Sequence, residues 1–408
     1  MERSSSPSDR QVHVLYVVYW GALEPLGQAL VIPAVRRLAA LGARITLVTF
    51  EKPADLESSG EVRRVRASLE TSRVRWVPLR YHKQPKVSAT AFDFAHGVAR
   101  GVLERIRDRP DIVHGRTFIG GLVGLPLARL TGAKLIFHNE GFYPDEQVDS
   151  GVWAAGSLPH RIARWLERRL YTRAEAVFST SRGGKEIIES LDGVRERETP
   201  VIMVPSCVDL EHFSPPKPTK RDGPPRLVYV GSVGGRYLVD RIGRFASVAR
   251  RERPETHLEV LTHSDPDLVR AELARGELAE EAWSSRFVPY ESLPDALSRQ
   301  DAGLCFHPLG LASAGGSPTK VGEYWAMGLP VIATAGLADV DEIIREERVG
   351  VTLANHTDDS YRAGFGTLLG LLEEPDLAER CRAAAERHYG LDAACERQIE
   401  IYEALRGS

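Results

Sequence analysis

The sequence lacks the features that define several large classes of protein. Its 408 residues contain only four cysteines, with no pair in C-x-x-C spacing and no cluster of cysteine and histidine. This pattern is typical of reduced thiols in a cytosolic protein and predicts no zinc site. The formal net charge is only -3 at pH 7. Because dedicated nucleic-acid-binding proteins are usually basic, we expect no nucleic-acid partner.

Long apolar runs are missing too. The N-terminus MERSSSPSDR is polar, and the apolar run 12–20 that follows is too short to span a bilayer. We therefore expect a cytoplasmic protein, for which a peripheral contact with the inner face of the membrane stays open. No G-x-x-x-x-G-K-[ST] occurs and no G-x-G-x-x-G follows the first apolar run, which argues against a P-loop kinase and a dehydrogenase.

The chain consists of short β-branched runs that alternate with longer helical segments. Several runs are apolar without alternation, as in strands that are covered on both faces. Such a series predicts parallel, doubly wound α/β sheets, and 408 residues are enough for two domains. The predicted strands are 12–18, 44–50, 74–77, 111–114, 134–138, 176–179 and 201–204, then 226–230, 257–261, 286–288, 302–306, 331–334 and 350–353.

A proline-rich stretch divides the series. Five prolines occur from Pro215 to Pro225. Because proline has a fixed φ and no N–H to donate, this stretch is predicted to be a linker. We predict a first Rossmann-like domain, a linker, a second Rossmann-like domain and a helix that returns to the first, at 10–205, 206–225, 226–390 and 391–408. Two such sheets would face each other across a cleft, where ligands of open α/β sheets bind.

The stretch GGSPTKVGEYWAMGLPVIAT predicts a helix with an open N-terminus. Ser317 suits the N-cap and Pro318 the first helical position. Free N–H groups near Thr319 and Lys320 would form an anion site at the positive end of the helix dipole. Glu323 shares the same helix face and could accept hydrogen bonds from two ribose hydroxyls. The alternative is a capped surface helix with a lysine–glutamate pair.

The same stretch resembles the signature of the family 4 retaining glycosyltransferases, S-P-x-K-x-x-E-Y-x-A-x-G-x-P-V-I. Other family segments are matched in order at 20–50, 204–213, 228–237 and 286–306, so the resemblance extends from about residue 12 to 405. It implies the GT-B fold, with an acceptor-binding N-terminal domain and a nucleotide-sugar-binding C-terminal domain facing a central cleft.

The resemblance implies a donor site in which Glu323 holds the ribose, while Lys320 and Arg236 stabilise the charge of the leaving diphosphate. With His138, these three are the predicted catalytic residues. We expect neither a cofactor nor an obligatory metal. For the loop GSVGG a plain tight turn is the alternative, and for Val288 and Tyr290 it is packing in a strand. The predicted donor-binding residues are Gly27, Gly231, Gly235, Val288, Tyr290, Gly315, Gly316, Ser317, Pro318, Thr319 and Glu323.

One position departs from the family pattern. Many relatives carry a Glu-x7-Glu pair whose first glutamate contacts the donor sugar, but the residue eight before Glu323 is Gly315. We expect the backbone N–H groups of Gly315 and Gly316 to replace that contact. Gly27, in the glycine loop before the first helix, is expected to lie beneath the phosphates or sugar of the donor.

The acceptor side is predicted from strand ends. His138 and Glu140 follow strand 134–138, and the family often has a histidine there that approaches the donor sugar and the acceptor. Arg116, Glu140 and Asp145 are predicted to line the acceptor pocket, with capping and ion pairing as alternatives.

A basic helix follows this region. It carries Arg161, Arg164, Arg168, Arg169 and Arg173 beside Ile162, Trp165, Leu166 and Leu170. Such a helix could rest on anionic lipid, but the pattern alone favours the solvated face of a packed helix.

Together these features predict transfer of a sugar from a nucleoside-diphosphate sugar, with retention as in the family. The acceptor is a glycan, a lipid-linked carrier or a small molecule. Two alternatives remain open: a nucleotide-sugar epimerase of the same fold, and an inactive nucleotide-sugar-binding subunit, for which Gly315 is the best argument.

Overall fold

The computed structural model describes residues 11–82, 86–215, 223–235, 237–308 and 310–407, without the side chains of 86–88, 105 and 106. Two parallel sheets, each flanked by helices, account for nearly all of it. No helix among these residues combines the length and the apolar character needed to cross a membrane.

The first sheet has seven parallel strands in the order β3-β2-β1-β4-β5-β6-β7. The strands are β1 (His13–Val18), β2 (Arg44–Glu51), β3 (Arg75–Arg80), β4 (Ile112–Arg116), β5 (Lys134–Asn139), β6 (Ala176–Ser179) and β7 (Val201–Met203). Its helices are α1 (Ile32–Ala40), α2 (Pro53–Glu57), α3 (Ser59–Thr71), α4 (Lys86–Arg107), α5 (Phe118–Thr131), α6 (Tyr143–Asp149), α7 (Leu158–Arg173), α8 (Arg182–Glu189) and α9 (Asp192–Arg195).

The second sheet has six parallel strands in the order β10-β9-β8-β11-β12-β13. The strands are β8 (Arg226–Val230), β9 (His257–Leu261), β10 (Trp283–Arg286), β11 (Ala302–Cys305), β12 (Val331–Thr334) and β13 (Gly350–Leu353). The helices are α10 (Val239–Glu252), α11 (Pro266–Arg275), α12 (Leu293–Leu297), α13 (Leu311–Gly315), α14 (Thr319–Ala326), α15 (Val340–Glu347), α16 (Asp358–Leu372), α17 (Leu377–Tyr389) and α18 (Leu391–Gly407).

The predicted strands lie where expected, with one exception. The strand predicted at 286–288 is β10, which ends at Arg286. The apolar Phe287 and Val288 suggested a strand, but Pro289 has no N–H for a ladder. The true strand, WSSR, is an edge strand that pairs only with β9, so its side chains are half-exposed or exposed and its sequence is polar.

The first helix of this domain begins after a wider turn. Residues Gly27–Val31 form a π-helical turn that leads into α1, and the Ile32 N–H donates to the Gly27 carbonyl five residues back. Pro33 follows directly and cannot donate an α-helical hydrogen bond, which explains why the wider turn forms here. Gly42 has φ +103° just after the helix, the left-handed conformation typical of a helix end.

The last helix, α18, packs on the first domain. Ala394, Cys395 and Tyr402 are buried in the same cluster as Val31 and Val35. At the rim of this contact, Arg37 Nε lies 2.7 Å from an Asp392 carboxylate oxygen. The core of the first domain therefore includes side chains from residues more than three hundred positions further along the chain.

The carboxyl ends of the two sheets meet. Thr180 and Ser181, which follow β6, donate from their hydroxyls to the carbonyls of Gly315 and Ala314, at 3.2 and 2.9 Å. The Arg182 N–H at the start of α8 donates to both carboxylate oxygens of Asp339, each at 3.0 Å. These contacts close one side of a cleft that both domains line.

Candidate active site at the domain cleft

The N-terminus of α14 lies one residue later than predicted. Thr319 is the first helical residue and Pro318 is the N-cap, which has no side-chain oxygen to cap the helix. Ser317 is not the cap: its hydroxyl accepts a hydrogen bond from the Ser206 N–H of the linker, at 3.3 Å. The first N–H groups of α14 therefore keep their capacity to bind an anion.

Lys320 and Glu323 are both buried on α14. The ammonium nitrogen of Lys320 lies 4.4 Å from the ring centroids of both Tyr229 and Tyr237, so the cation is held between two aromatic faces. Glu323 is 5% exposed, and no hydrogen bond to its carboxylate is found within the described residues. Burial raises the pKa of Glu323 to about 7, against the opposing effect of the Lys320 charge.

The glycine loop after β8 lies against this pair. Gly231 has φ +137°, and a Cβ atom there would lie 3.0 Å from the Lys320 ammonium. Gly235 has φ +65° with open space where a side chain would be. Both need glycine for the turn, and the first also gives Lys320 its room. Arg236 lies outside the described residues.

Val288 and Tyr290 are half-buried and pack against the core of the second domain. The ring of Tyr290 stacks on His212, with centroids 4.6 Å apart, and His212 Nε2 donates to the Tyr290 carbonyl at 3.0 Å. Burial, reinforced by the charge of Glu323, raises the pKa of Tyr290. His212, which no sequence motif marks, thus sets the position of Tyr290.

Gly315 is a glycine because the domains touch there. A Cβ atom would lie 2.5 Å from two ring carbons of Phe142 in the first domain. No acidic side chain fits at this position while the domains are in contact, so the missing first glutamate of the pair follows from packing. Gly316 is half-buried beside it, and the role expected for the two N–H groups stays a prediction.

Gly27 has a different reason from the one expected. A Cβ atom there would lie 2.0 Å from the Gly21 carbonyl oxygen, so the loop's own backbone requires the glycine. The loop is held by Glu51 at the end of β2, whose carboxylate accepts from the N–H groups of Ala22 and Leu23 at 2.8 and 3.2 Å. Glu51 is a further residue that the motif analysis missed.

His138 lies near the end of β5, only 1% exposed. Its Nδ1 is 3.2 Å from Nε2 of His114, and Nδ1 of His114 is 2.6 Å from the hydroxyl of Tyr402 on α18. Burial, reinforced by the charge of Arg116, lowers the pKa of both histidines well below the ordinary value. Both imidazoles are therefore neutral near pH 7, and a row of three side chains connects α18 to the strand end.

The buried Arg116 and the half-buried Glu140 form an ion pair next to this row. Arg116 Nε donates to Oε1 of Glu140, and Nη1 donates to the Tyr16 hydroxyl at 3.2 Å and to the Leu30 carbonyl at 3.1 Å. The same Glu140 oxygen is 3.6 Å from Nε2 of His138. The structure thus brings the predicted residues His138, Arg116 and Glu140 together. The contact between Arg116 and Glu140 is the ion pair given as the alternative to an acceptor pocket.

Asp145 is on α6 and faces another helix. Its carboxylate is 2.7 Å from Arg164 Nη1 and 3.6 Å from His160 Nε2, both on α7. Within the described residues no contact joins it to Arg116 or Glu140. The contacts of Asp145 are those of the ion-pairing alternative.

The described residues contain no group of three or more histidine, cysteine, aspartate or glutamate side chains that could hold a metal ion. Two Asp-x-Asp sequences occur, at 265–267 and 339–341. In the first, Asp265 accepts from the Asp267 N–H at the start of α11, at 2.8 Å, and in the second, Asp339 binds the start of α8. The expectation of a metal-independent reaction stays a prediction.

Two parallel-sheet domains whose carboxyl ends face a shared cleft define the GT-B class of transferase fold. Residues 33–207 match the family model of the glycosyl transferase 4-like domain. The chain has the fold of the GT-B glycosyltransferases, and its N-terminal domain is similar to the glycosyl transferase 4-like domain over the matched residues. The resemblance stated from the motifs is confirmed.

Individual relatives extend over the whole chain. The D-inositol 3-phosphate glycosyltransferase of Nocardiopsis dassonvillei is 23% identical over 401 residues, covering 92% of this chain and 88% of the relative. Sucrose-phosphate synthase from Thermosynechococcus elongatus has a TM-score of 0.68 at 17% identity, covering 97% and 99% of the two chains. HepE of Anabaena, solved with UDP and glucose, has a TM-score of 0.65 at 12% identity, covering 97% and 100%. The solved structures show a common fold.

Proposed function

We propose that the protein transfers a sugar, with retention, from a nucleoside-diphosphate sugar to an acceptor bound in the cleft. The observation that carries the proposal is the environment of the Glu323 carboxylate. Its carboxylate is buried without a hydrogen bond from the described residues, one turn from the open N-terminus of α14. Two vicinal ribose hydroxyls would satisfy it, while the helix N–H groups and Lys320 bind the diphosphate. That the similarly folded HepE was solved with UDP and UDP-glucose supports this choice of donor.

The chemistry needs charge stabilisation at the leaving group. The bond between the anomeric carbon and the diphosphate oxygen breaks, and its electron pair stays on the diphosphate. Lys320, the N–H groups of α14 and the loop at Gly231 are fixed in place before that charge develops, which is the arrangement that favours electrostatic catalysis. In a retaining reaction the acceptor oxygen attacks from the same face. The departing diphosphate oxygen is then the base nearest to the acceptor proton.

His138 would position the sugar as a hydrogen-bond donor. Its Nε2 is buried without a hydrogen-bond partner among the described residues. If Tyr402 donates to Nδ1 of His114, then Nε2–H of His114 donates to Nδ1 of His138, and the proton of His138 is on Nε2. The Glu140 oxygen 3.6 Å away favours this tautomer, since the opposite one would set a lone pair against a carboxylate.

Arg116 and Glu140 would form the acceptor side. The guanidinium is fixed by Tyr16, Leu30 and Glu140, so it holds the carboxylate in one position. The second oxygen of Glu140 is then available to accept a hydrogen bond from an acceptor hydroxyl. This role deepens the sequence prediction for both residues, and Asp145 is left with a structural contact to α7.

The test is thermal stabilisation of the wild type and of Glu323→Gln by UDP, GDP, ADP, CDP and dTDP. We expect one nucleotide to stabilise the wild type, by about 2.7 kcal/mol at a hundredfold excess over its Kd, and Glu323→Gln to lose most of that effect. Equal stabilisation of both proteins, or of neither, would remove Glu323 from the donor site.

Product analysis with the matching nucleotide sugar then separates the three candidate activities. Transfer requires an acceptor and releases nucleoside diphosphate. An epimerase would convert the donor with no acceptor present. An inactive subunit, the alternative that the missing acid at Gly315 favours, would bind the donor and leave it intact.

A further inference from the structure

One surface of the first domain combines exposed apolar side chains with a single sign of charge. On α7, Leu158, Ile162 and Trp165 are 68%, 48% and 52% exposed. Their spacing of four and three residues places them in one stripe along the helix. Val152, in the loop before the helix, is also 52% exposed. Large side chains of this kind are common on a surface singly, but a contiguous stripe marks an interaction site.

The exposed charged side chains of α7 beside the stripe are arginines. Arg161, Arg168 and Arg169 are exposed beside it, and the Arg169 guanidinium lies 4.2 Å above the ring of Trp165. The one acidic residue between 150 and 174 is Glu167, which is buried on the opposite face of α7, where burial raises its pKa to about 8. Of the neighbouring acidic residues, Asp145 on α6 already pairs with Arg164 and His160 of α7, Glu175 accepts from the Leu135 N–H, and Asp192 pairs with Arg195, while Asp149 is exposed before the segment. The surface is cationic although the chain as a whole carries a net charge of -3.

The inner face of α7 accounts for the packing of the helix. Ala163, Glu167, Leu170 and Tyr171 are buried there. The sequence pattern favoured a packed helix with a solvated outer face. Three large apolar side chains exposed on that face are unfavourable in water. The outer face, defined by Val152, Leu158, Ile162 and Trp165 with Arg161, Arg168 and Arg169, is called the α7 face below.

We propose that the α7 face docks on an anionic lipid surface. Leucine, isoleucine and tryptophan would enter the boundary between headgroups and acyl chains, while the arginines bind lipid phosphates and keep their stems along the apolar layer. A second copy of the chain fits this face less well. A symmetric contact would oppose the same arginines across the interface without a carboxylate from the α7 face to pair with them.

The proposal is independent of the sugar chemistry and is tested without substrate. Wild-type protein is sedimented with vesicles of phosphatidylcholine alone and of phosphatidylcholine mixed equally with phosphatidylglycerol. We expect binding to the mixed vesicles that weakens as salt is raised, and little binding to the neutral ones.

Two variants separate the apolar and the charged contributions. Ile162→Ser/Trp165→Ser should weaken binding to the mixed vesicles by about tenfold or more, because two apolar side chains no longer leave water. Arg161→Glu/Arg168→Glu should weaken it by about tenfold and remove the dependence on salt. The matched control is Leu268→Ser/Arg345→Glu, which changes an exposed leucine and an exposed arginine on the other domain and should bind as the wild type does.

Three results would overturn the proposal. The first is equal binding to neutral and anionic vesicles, and the second is a loss of binding in the control that matches the loss in the α7 variants. The third is no vesicle binding together with dimerisation that Ile162→Ser/Trp165→Ser abolishes, which would assign the α7 face to a second copy. Nucleotide-induced stabilisation of every variant shows that the protein is folded and that a failure here does not come from the donor site.

Discussion

The two halves of the cleft handle buried charge in opposite ways. In the N-terminal half, Arg116 and Glu140 neutralise each other, and His114 and His138 are neutral within a row of hydrogen bonds. In the C-terminal half, Glu323 is buried without such a partner among the described residues, and its pKa is raised to about 7. The first arrangement stabilises the empty protein, whereas the second costs stability until a ligand arrives. Under the proposed function, the N-terminal half is built in advance and the C-terminal half is completed by the donor.

The largest effect that tests this contrast is expected for Arg116→Met. The substitution leaves the Glu140 carboxylate without its partner and also removes the bonds to Tyr16 and Leu30. Because breaking a buried ion pair leaves an uncompensated charge, we expect the free energy of unfolding to fall by about 3 kcal/mol, measured by urea denaturation.

Glu323→Gln is the matching variant in the other half. In the wild type, the pKa of the Glu323 carboxyl is about 7 in the folded protein and has its ordinary value of 4.5 in the unfolded chain. Wild-type stability therefore falls as pH rises between these values, and the glutamine variant should be at least as stable as the wild type at pH 8. A loss of stability in Glu323→Gln as large as that in Arg116→Met would erase the distinction between the halves.

The contact between the halves is tested next, by Gly315→Ala. The added Cβ would overlap the Phe142 ring, and overpacking of this kind costs about 1–3 kcal/mol. Phe142→Leu in the same protein frees space and should recover part of the loss, which a double-mutant cycle by thermal denaturation would reveal. If the two substitutions act additively, the ring is not what makes this position a glycine.

A fourth prediction concerns the pH dependence of nucleotide binding. If the ribose hydroxyls donate to an ionised Glu323, nucleotide affinity must rise with pH through the pKa of about 7. The ionised fraction grows from about one-eleventh at pH 6 to about ten-elevenths at pH 8, so the affinity should rise about tenfold, measured by calorimetry. Glu323→Gln is the control. Because its side chain does not titrate, any pH dependence of its nucleotide affinity comes from the phosphate of the nucleotide. The same slope in both proteins would show that the carboxylate is not the acceptor.

The smallest effect is expected for Tyr402→Phe. It removes one buried hydrogen bond to His114 and should cost about 1 kcal/mol of stability. It also releases the tautomer of His138, so kcat should fall several-fold while the KM for the donor is unchanged. Tyr171→Phe, a buried tyrosine whose hydroxyl makes no hydrogen bond within the described residues, serves as the matched control and should leave kcat alone. Equal kcat values for the two variants would reduce Tyr402 to a packing residue.

The difference between the halves also explains how far sequence could predict the site. The donor side is local: Lys320 and Glu323 are on one short helix, and their spacing alone places them on one face. The acceptor side is assembled from distant segments. Arg116 reaches Tyr16, one hundred residues earlier, and His114 reaches Tyr402, 288 residues later, and no spacing rule links such positions.

Two glycines of the predicted donor site also have a packing reason that the sequence did not show. Gly27 and Gly315 were assigned to ligand contact because glycine allows close approach. In the structure the approaching atoms are the Gly21 carbonyl and the Phe142 ring. A glycine in a sequence shows that something comes close, but only the structure shows what it is. The strand pattern was predicted well because buried parallel strands have a composition of their own, and it failed only at the polar edge strand β10.

The packing of α18 on the first domain has a consequence for biosynthesis. The ribosome makes the first sheet early, yet the core beneath α1 lacks Ala394, Cys395 and Tyr402 until those residues emerge. All thirteen strands that the structure describes have been translated by then. The second sheet can thus fold on the nascent chain while an apolar groove on the first domain is still exposed. A chaperone that binds the nascent chain would find that groove accessible from the completion of β7 until α18 is made, which is about half of translation.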